Sequence, residues 1–85
     1  MPYTIRFTPA AARQLARLDA PIRRRLASAI DGLSVHPRPP GVKKLSGPAD
    51  LWRVRVGDYR ILYRIVDREL VIVIVTIGHR GDVYR

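Results

Sequence analysis

The sequence predicts an α+β fold in which a helical hairpin packs on one face of a small, mostly antiparallel twisted sheet, in the order β-α-α-β-β-β-β. Three patterns lead to this prediction. Apolar residues recur at helical spacing between residues 11 and 33, alternate with arginines from 51 to 66, and form a nearly continuous run from 70 to 77. With 85 residues, of which 47% are hydrophobic, the chain is expected to form one domain covering residues 1–85.

A short strand and two helices are predicted for the N-terminal half. YTIRF (residues 3–7) alternates and is rich in β-branched and aromatic residues, as strands are. Thr8 and Pro9 are the residue types favoured at the N-cap and first position of a helix, which should run to about residue 18. A second helix should begin near Asp19. Its apolar stripe consists of Ile22, Leu26, Ala29, Ile30 and Leu33.

Two strands in the C-terminal half form a predicted hairpin. LWRVRV (51–56) and YRILYRIV (59–66) both alternate apolar and basic residues, and the Gly-Asp dipeptide between them suits a two-residue turn. That turn matches the apolar residues of the two strands across the hairpin, so the register is self-consistent. It also places Arg55 directly opposite Arg60.

The remaining segments complete the predicted sheet. VKKL (42–45) is a short strand before the hairpin. Residues 67–68 are expected to form a second two-residue turn, leading into a strand over residues 69–77. With that turn, Arg60 would face Val75 across the strand pair.

Positive charge along the strands is the strongest functional signal. Because strand residues alternate faces, Arg53, Arg55 and Arg60 should gather on the sheet face that the helices leave open, with Arg64 further along. Like charges directly opposite each other destabilise a sheet, and a bound phosphate would relieve the repulsion between Arg55 and Arg60. We therefore predict a polyanion site on the open face. The alternative is an ordinary solvated face with incidental charge.

The whole chain is strongly basic. Lys and Arg total 16 against 7 Asp and Glu, which gives a formal net charge of +9. Only Lys43 and Lys44 are lysines, which leaves 14 arginines. Arginine favours bidentate phosphate binding, although a GC-rich genome also enriches it. A polyanion or an acidic protein partner is expected, and the triplet at residues 23–25 is interpreted as a solvated helix face.

Several classes of protein are not indicated. Without cysteine the chain has no disulfide or thiolate site, and its two histidines lie far apart, so no metal or other cofactor is expected. It has no Gly-rich phosphate-binding loop. The apolar run at 70–77 is too short to span a membrane as a helix, and the N-terminus does not read as a signal peptide. We expect a cytoplasmic protein with no membrane partner.

The C-terminal tail adds further candidates. Gly78 is expected to be a flexible point past the last strand, from which His79, Arg80 and Tyr84 fold over the arginine face. Histidine has an ordinary pKa near neutrality, so His79 is a candidate general acid or base, with a polar turn residue as the alternative. Tyr84 could stack on a base or transfer a proton.

The segment LWRVRVGDYRILYRIVDRELVIVIVTIGHRGDVYR, with KKLSG ahead of it, resembles the C-terminal half of RelE-type toxins of the RelE/ParE superfamily. The resemblance covers nearly the whole chain and depends mainly on the spacing RVGDYRILY…IGHR…VY. It implies a RelE-like fold and the toxin of a type II toxin–antitoxin pair. Such toxins are endoribonucleases that enter the ribosomal A site, cut mRNA without a metal, and inhibit translation.

The resemblance also implies roles for individual residues. Its functional positions fall on Arg53, Arg55, Arg60, Arg80 and Tyr84. Of these, Arg55, Arg60, Arg80 and Tyr84 are predicted to be catalytic, together with His79. Arg53 is predicted to bind RNA, and the basic residues Lys43, Lys44 and Arg64 are added to the RNA-binding set. The family often has lysine where this chain has Arg53 and Arg55. Arginine does not lose its proton, so Arg55 is a poor proton acceptor.

Partners follow from the resemblance as well. They are a cognate antitoxin with an acidic and apolar segment, the ribosome with its mRNA, and operator DNA for the toxin–antitoxin complex. Two other functions stay open at this point. One is that of the ParE branch, which targets DNA gyrase, and the other is a basic binding module without catalytic activity.

Overall fold

The computed structural model describes residues 2–47 and 50–79 and contains five strands and two helices in these ranges. They are β1 (Thr4–Phe7), α1 (Pro9–Ala16), α2 (Ala20–Val35), β2 (Lys43–Lys44), β3 (Trp52–Val56), β4 (Tyr59–Val66) and β5 (Val71–His79). The strands form one sheet in the order β1-β5-β4-β3-β2. β1 runs parallel to β5 and the other neighbours are antiparallel. The predicted α+β fold is confirmed.

The start of α1 follows the predicted capping pattern. The Thr8 hydroxyl accepts a hydrogen bond from the backbone N–H of Ala11 at 3.1 Å and donates one to the carbonyl of Val75 at 2.7 Å. Pro9 occupies the first turn, where its missing N–H costs nothing. The same residue that starts the helix therefore also attaches it to β5.

α1 covers the edge of β5 beyond the point where β1 ends. The last β1 pair joins Phe7 to Ile74, which leaves the following residues of β5 without a strand neighbour on that side. There the side-chain oxygen Oε1 of Gln14 accepts a hydrogen bond from the backbone N–H of Ile77 at 2.7 Å. An exposed strand edge is a template for aggregation, so this side chain protects the sheet.

The core lies between the helices and one face of the sheet. Its buried members are Ala11, Leu26, Ile30, Leu33, Ile61, Tyr63, Ile65, Ile72, Ile74 and Ile77. Tyr63 is fully buried, and its hydroxyl donates a hydrogen bond to the carbonyl of Pro37 at 2.8 Å. Burial raises the pKa of Tyr63 to about 12. The opposite face of the sheet has no helix over it among the described residues.

The predicted register of the β3–β4 hairpin is confirmed at all five pairs, including Arg55 opposite Arg60. Gly57 begins the turn with φ +60°, a conformation that a side chain would disfavour. Alternation and a tight turn define this register locally, which explains why the sequence sufficed to predict it.

The predicted connection from β4 to β5 is wrong. A turn of 3₁₀ helix (Asp67–Glu69) and Leu70, at φ +54°, form a four-residue link in place of two. A β-bulge then shifts the pairing beside Leu62 and Tyr63, so Arg60 lies opposite Gly78 and not Val75.

Long-range contacts explain the longer connection. Asp67 accepts a hydrogen bond from the Tyr3 hydroxyl at 2.7 Å and pairs with Arg38 at 2.9 Å. The bulge allows Ile74 and Ile77, which are an odd number of residues apart, to face the core together. Alternation alone predicts neither feature.

No helix within residues 2–47 and 50–79 has the length and apolar character needed to cross a membrane.

Candidate polyanion site on the open sheet face

The arginines of the hairpin lie on the sheet face opposite the core. Arg60 on β4 pairs with Arg55 on one side and with Gly78 on the other, and we call these three residues the arginine row. The next row along the sheet contains Lys43 on β2 and Arg53 on β3, which pair with each other. The structure therefore brings four of the predicted basic residues together.

The two members of the central pair differ in burial. Arg55 is exposed, whereas Arg60 is half-buried and its Nε atom is shielded from solvent. Partial burial restricts the rotamers of a long side chain, so less conformational entropy is lost when Arg60 binds a ligand. The pairing also holds two positive charges side by side, in a position where like charges repel.

One apolar residue, Leu62, lies among the arginines of this face. Leu62 points to the open side with the arginines, yet only 6% of it is exposed. Its neighbours along β4 are Arg60 and Arg64, and its partner on β3 is Arg53. Arginine stems can pack along apolar surface while their charged ends reach water, and these neighbouring arginines are placed where their stems can cover Leu62.

The remaining predicted RNA contacts are divided between the two faces. Arg64 lies on the open face and is exposed. Lys44 pairs with Trp52 on the helix side, where its Nζ atom lies 5.8 Å from the Trp52 ring centroid and 3.0 Å from Asp50. The structure therefore separates Lys44 from the arginine row.

Gly78 and His79 are placed differently from the expectation. Gly78 lies inside β5 and not past its end, because the longer link and the bulge extend the strand to His79. His79 pairs with Tyr59 and packs against its ring at 5.2 Å in an edge-to-face arrangement. His79 is therefore on the helix side of the sheet, away from Arg55 and Arg60.

Arg80 and Tyr84, the other predicted tail residues, lie outside the described residues.

Sequence reasoning missed Arg6. This exposed residue of β1 pairs with Val73 on β5, which in turn pairs with Arg64 on β4. Arg6 thus extends the basic charge of the open face across the whole sheet. The parallel pairing of β1 with β5 joins distant parts of the chain, and no local pattern reveals it.

The helix side carries a groove of about 120 Å³. It is lined by Ile22, Arg25, Leu26, Val56, Asp58 and Tyr59. The arginines of the open face and this groove are on opposite sides of the sheet, so those arginines lie on a surface and not in the groove. Within residues 2–47 and 50–79, no group of three or more acidic or histidine side chains is placed to hold a metal ion.

Comparison with known proteins identifies the family. Residues 5–84 match the family described as the ParE toxin of the type II toxin–antitoxin system parDE. The chain belongs to the RelE/ParE superfamily of type II toxins. Toxin RelG from Mycobacterium tuberculosis is 40% identical over 86 residues, covering 100% of this chain and 99% of that protein. A putative RelE-like toxin protein from Escherichia coli is 30% identical over 88 residues, covering 99% and 92%.

Solved structures agree with this assignment. RelE in the archaeal RelE–RelB complex from Pyrococcus horikoshii superimposes with a TM-score of 0.84 and 32% identity, covering 96% of this chain and 99% of that one. The toxin–antitoxin complex RelBE2 from Mycobacterium tuberculosis gives 0.82 and 35% identity, covering 94% and 100%. The resemblance to RelE-type toxins found in the sequence is confirmed.

Proposed function

We propose that this RelE-type toxin is a ribosome-dependent endoribonuclease that cleaves mRNA in the ribosomal A site and so inhibits translation. The observation that carries the proposal is the direct pairing of Arg55 with the half-buried Arg60 on the open face. Two arginines in that position destabilise the free sheet and are stabilised by a bound phosphate. The toxins RelG and RelE among its relatives support the same reading.

The proposed chemistry is cleavage by the neighbouring 2′-hydroxyl. This hydroxyl loses its proton and attacks the adjacent phosphorus, and the bond to the leaving 5′-oxygen breaks as that oxygen gains a proton. A 2′,3′-cyclic phosphate and a 5′-hydroxyl result. Negative charge accumulates on the phosphorus oxygens in the transition state, and the guanidinium groups of Arg55 and Arg60 stabilise it.

Proton transfer requires other groups, because arginine keeps its proton. In this proposal Tyr84 carries proton transfer or base stacking, and Arg80 adds a third phosphate contact, both assigned by resemblance. His79 is not part of the proposed site, since its ring lies against Tyr59 on the helix side.

The remaining basic residues of the open face are proposed to guide the RNA. Lys43 and Arg53 lie beside the arginine row, and Arg64 and Arg6 continue the charge toward β1. Lys44 is excluded from this set because it binds Asp50. Phosphate contacts of this kind position the chain without reading its sequence.

A cognate antitoxin is the proposed protein partner. The relative from Pyrococcus horikoshii was crystallised as a RelE–RelB complex. The relative from Mycobacterium tuberculosis was crystallised as the toxin–antitoxin complex RelBE2. An antitoxin segment with acidic and apolar residues would match the basic open face. We further propose that the toxin–antitoxin complex binds its operator DNA and that the toxin acts in the cytoplasm, where its ribosomal target is found.

A purified bacterial translation system tests the proposal. Messenger RNA 3′ ends are mapped with the wild-type toxin, with Arg60→Ala, and with Arg24→Ala, a control that removes an exposed arginine of α2. We expect cuts within A-site codons for the wild type and the control, and their loss in Arg60→Ala. Intact mRNA and undiminished translation with the wild type would contradict the proposal.

DNA gyrase inhibition is the second candidate function, since the matched family is described as the ParE toxin. A supercoiling assay with purified gyrase distinguishes the two functions. Inhibited supercoiling together with intact mRNA would favour the gyrase function. Cleaved mRNA with normal supercoiling would favour the ribonuclease.

A further inference from the structure

Gly78 is an unexpected residue in the arginine row. It lies within β5, where residues 71–77 are all Val, Ile or Thr, the types that strands favour. Its partner across the strand pair is Arg60, so Gly78 belongs to the open face. Glycine weakens a strand, because it provides no side chain to pack and loses more backbone entropy than other residues.

The backbone conformation does not account for this glycine. Among the described residues the glycines with positive φ are Gly41, Gly47 and Gly57, and each lies in a turn or loop. Gly78 pairs with Arg60. The β-bulge lies further along β5, beyond the pair of Leu62 with Thr76. Since Gly78 pairs within a regular part of β5, a register that residues with side chains also adopt, we look for the reason for glycine in what approaches the missing side chain.

The position of Gly78 in the sheet indicates which group approaches the missing side chain. On β3 and β4 the row carries guanidinium groups, and on β5 it carries only backbone. A glycine in a strand often marks a site where a ligand or another backbone comes close. A ribose–phosphate unit resting on β5 at this point would have its phosphate within reach of Arg60 and next to Arg55.

We propose that Gly78 is the floor of the substrate site, on which the ribose–phosphate unit at the cleaved position rests. The inference rests on the proposed ribonuclease function and adds a positioning residue to it. A side chain here would lift the sugar–phosphate backbone away from β5 and misalign the phosphate with the two arginines. Misplacement of reacting groups by about 1 Å lowers rates by about 100-fold.

The proposal predicts opposite effects on stability and activity. Gly78→Ala and Gly78→Val replace glycine with residues that suit a strand better, so the thermal unfolding midpoint should stay the same or rise. Single-turnover mRNA cleavage on programmed ribosomes should fall, moderately for alanine and by about 100-fold for valine. A glycine needed only for folding would give the reverse pattern, with a lower midpoint and activity that follows the folded fraction.

Gly32 of α2 provides the matched control. A methyl group added there meets nothing within 4 Å. Gly32→Ala should raise the unfolding midpoint, because alanine favours helix over glycine, and should leave cleavage unchanged.

A double-mutant cycle separates the substrate from the side chain of Arg60. Affinity is measured for ribosomes programmed with an mRNA that carries a 2′-deoxynucleotide at the cleavage position and so cannot be cut. If Gly78 contacts the substrate, Gly78→Val weakens binding in the Arg60→Ala background as well. If its effect disappears in that background, Gly78 only leaves room for Arg60 and the inference is overturned.

The same assays distinguish failure of this inference from failure of the proposed function. Wild-type cleavage that is lost in Arg60→Ala but kept in Gly78→Val overturns the role of Gly78 alone. A wild-type protein that neither binds nor cleaves on programmed ribosomes overturns both.

Discussion

The chain carries arginines in two regions that differ in how they are held. On the open sheet face, strand pairing places Arg55 directly opposite Arg60, and Arg60 is half-buried. On the helical hairpin, Arg13, Arg17 and Arg24 are exposed. The number of charges is similar in the two regions, but the strand pairing fixes the backbones of two arginines directly opposite each other, a position in which like charges destabilise a sheet.

This difference is the basis for proposing that the sheet charges, and not the helical ones, bind a ligand. Helical arginines can turn away from one another into water, and some have structural uses. Arg23, for example, donates a hydrogen bond to the carbonyl of Leu18 at 2.8 Å, in the link between α1 and α2. The backbones of Arg55 and Arg60 stay opposite each other as long as the two strands are paired. Placement by the backbone is therefore a better guide to a polyanion site than charge count.

The largest expected effect is the loss of activity in Arg60→Ala. Removing one preorganised donor to a developing oxyanion costs about 100-fold to 1000-fold in rate. Arg24→Ala removes the same charge from a helix and should leave the rate nearly unchanged. Single-turnover cleavage on programmed ribosomes measures both, and equal losses would erase the distinction between the two regions.

The next effect concerns the leucine beneath the sheet arginines. Leu62→Ala should lower the free energy of unfolding by about 2 kcal/mol, because Leu62 is almost fully buried. It should also weaken ribosome binding, since the arginine stems lose the surface on which they pack. Val35→Ala is the control, because Val35 is 65% exposed, and urea unfolding should show little change.

A smaller and opposite effect on stability is expected from Arg55→Glu. This change replaces the repulsion with Arg60 by attraction and should raise the free energy of unfolding by about 0.2 to 1 kcal/mol. The gain should shrink at high salt, which screens exposed charges. Cleavage should be lost at the same time. A less stable Arg55→Glu variant would mean that the pair is not strained in the free protein.

The smallest expected effect on stability concerns Arg38, which is held by both an ion pair and an aromatic ring. It is paired with Asp67 at 2.9 Å and stacked 5.0 Å from the Trp52 ring centroid. Hydrogen bonds from Arg38 and then Tyr3 hold the pKa of Asp67 below its ordinary value of 3.8. A lowered folded-state pKa contributes stability above the unfolded-state value, and this is lost as pH falls through the folded-state pKa.

The corresponding measurement is the urea midpoint of wild type and Asp67→Asn across pH. The wild type should be more stable near neutrality, and the difference should shrink below the ordinary pKa of Asp67 and disappear as the pH falls through its lowered folded-state pKa. The effect should be small because the ion pair is largely exposed. Asp31→Asn on α2 is the control, and a difference that persisted in acid would contradict the role of the Arg38–Asp67 pair.

Features with local causes could be predicted from the sequence. The Thr8-Pro9 helix start and the register of the β3–β4 hairpin both follow from neighbouring residues, and both are confirmed. Since that register brings Arg55 and Arg60 together, the centre of the candidate site was accessible from sequence alone.

Features with long-range causes could not be predicted. Shifting β5 by two residues keeps the same side chains facing the core, so alternation could not reveal the longer link. Asp67 is held by Tyr3 and Arg38, which are distant in sequence. Because the link between β4 and β5 was predicted to be too short, Gly78 was predicted to lie past the end of the strand. For the same reason His79 was predicted to lie on the open face, whereas it lies on the helix side.

The central claim is that the sheet arginines, and not the overall charge, carry the activity. The most direct measurement compares mRNA 3′ ends in purified translation for two variants, each with three arginines replaced by alanine. One lacks Arg53, Arg55 and Arg60, and the other lacks Arg13, Arg17 and Arg24. Both lose three positive charges, and thermal unfolding confirms that each is folded. We expect A-site cleavage to disappear in the sheet variant and to persist in the helix variant, whereas equal loss in both would contradict the account.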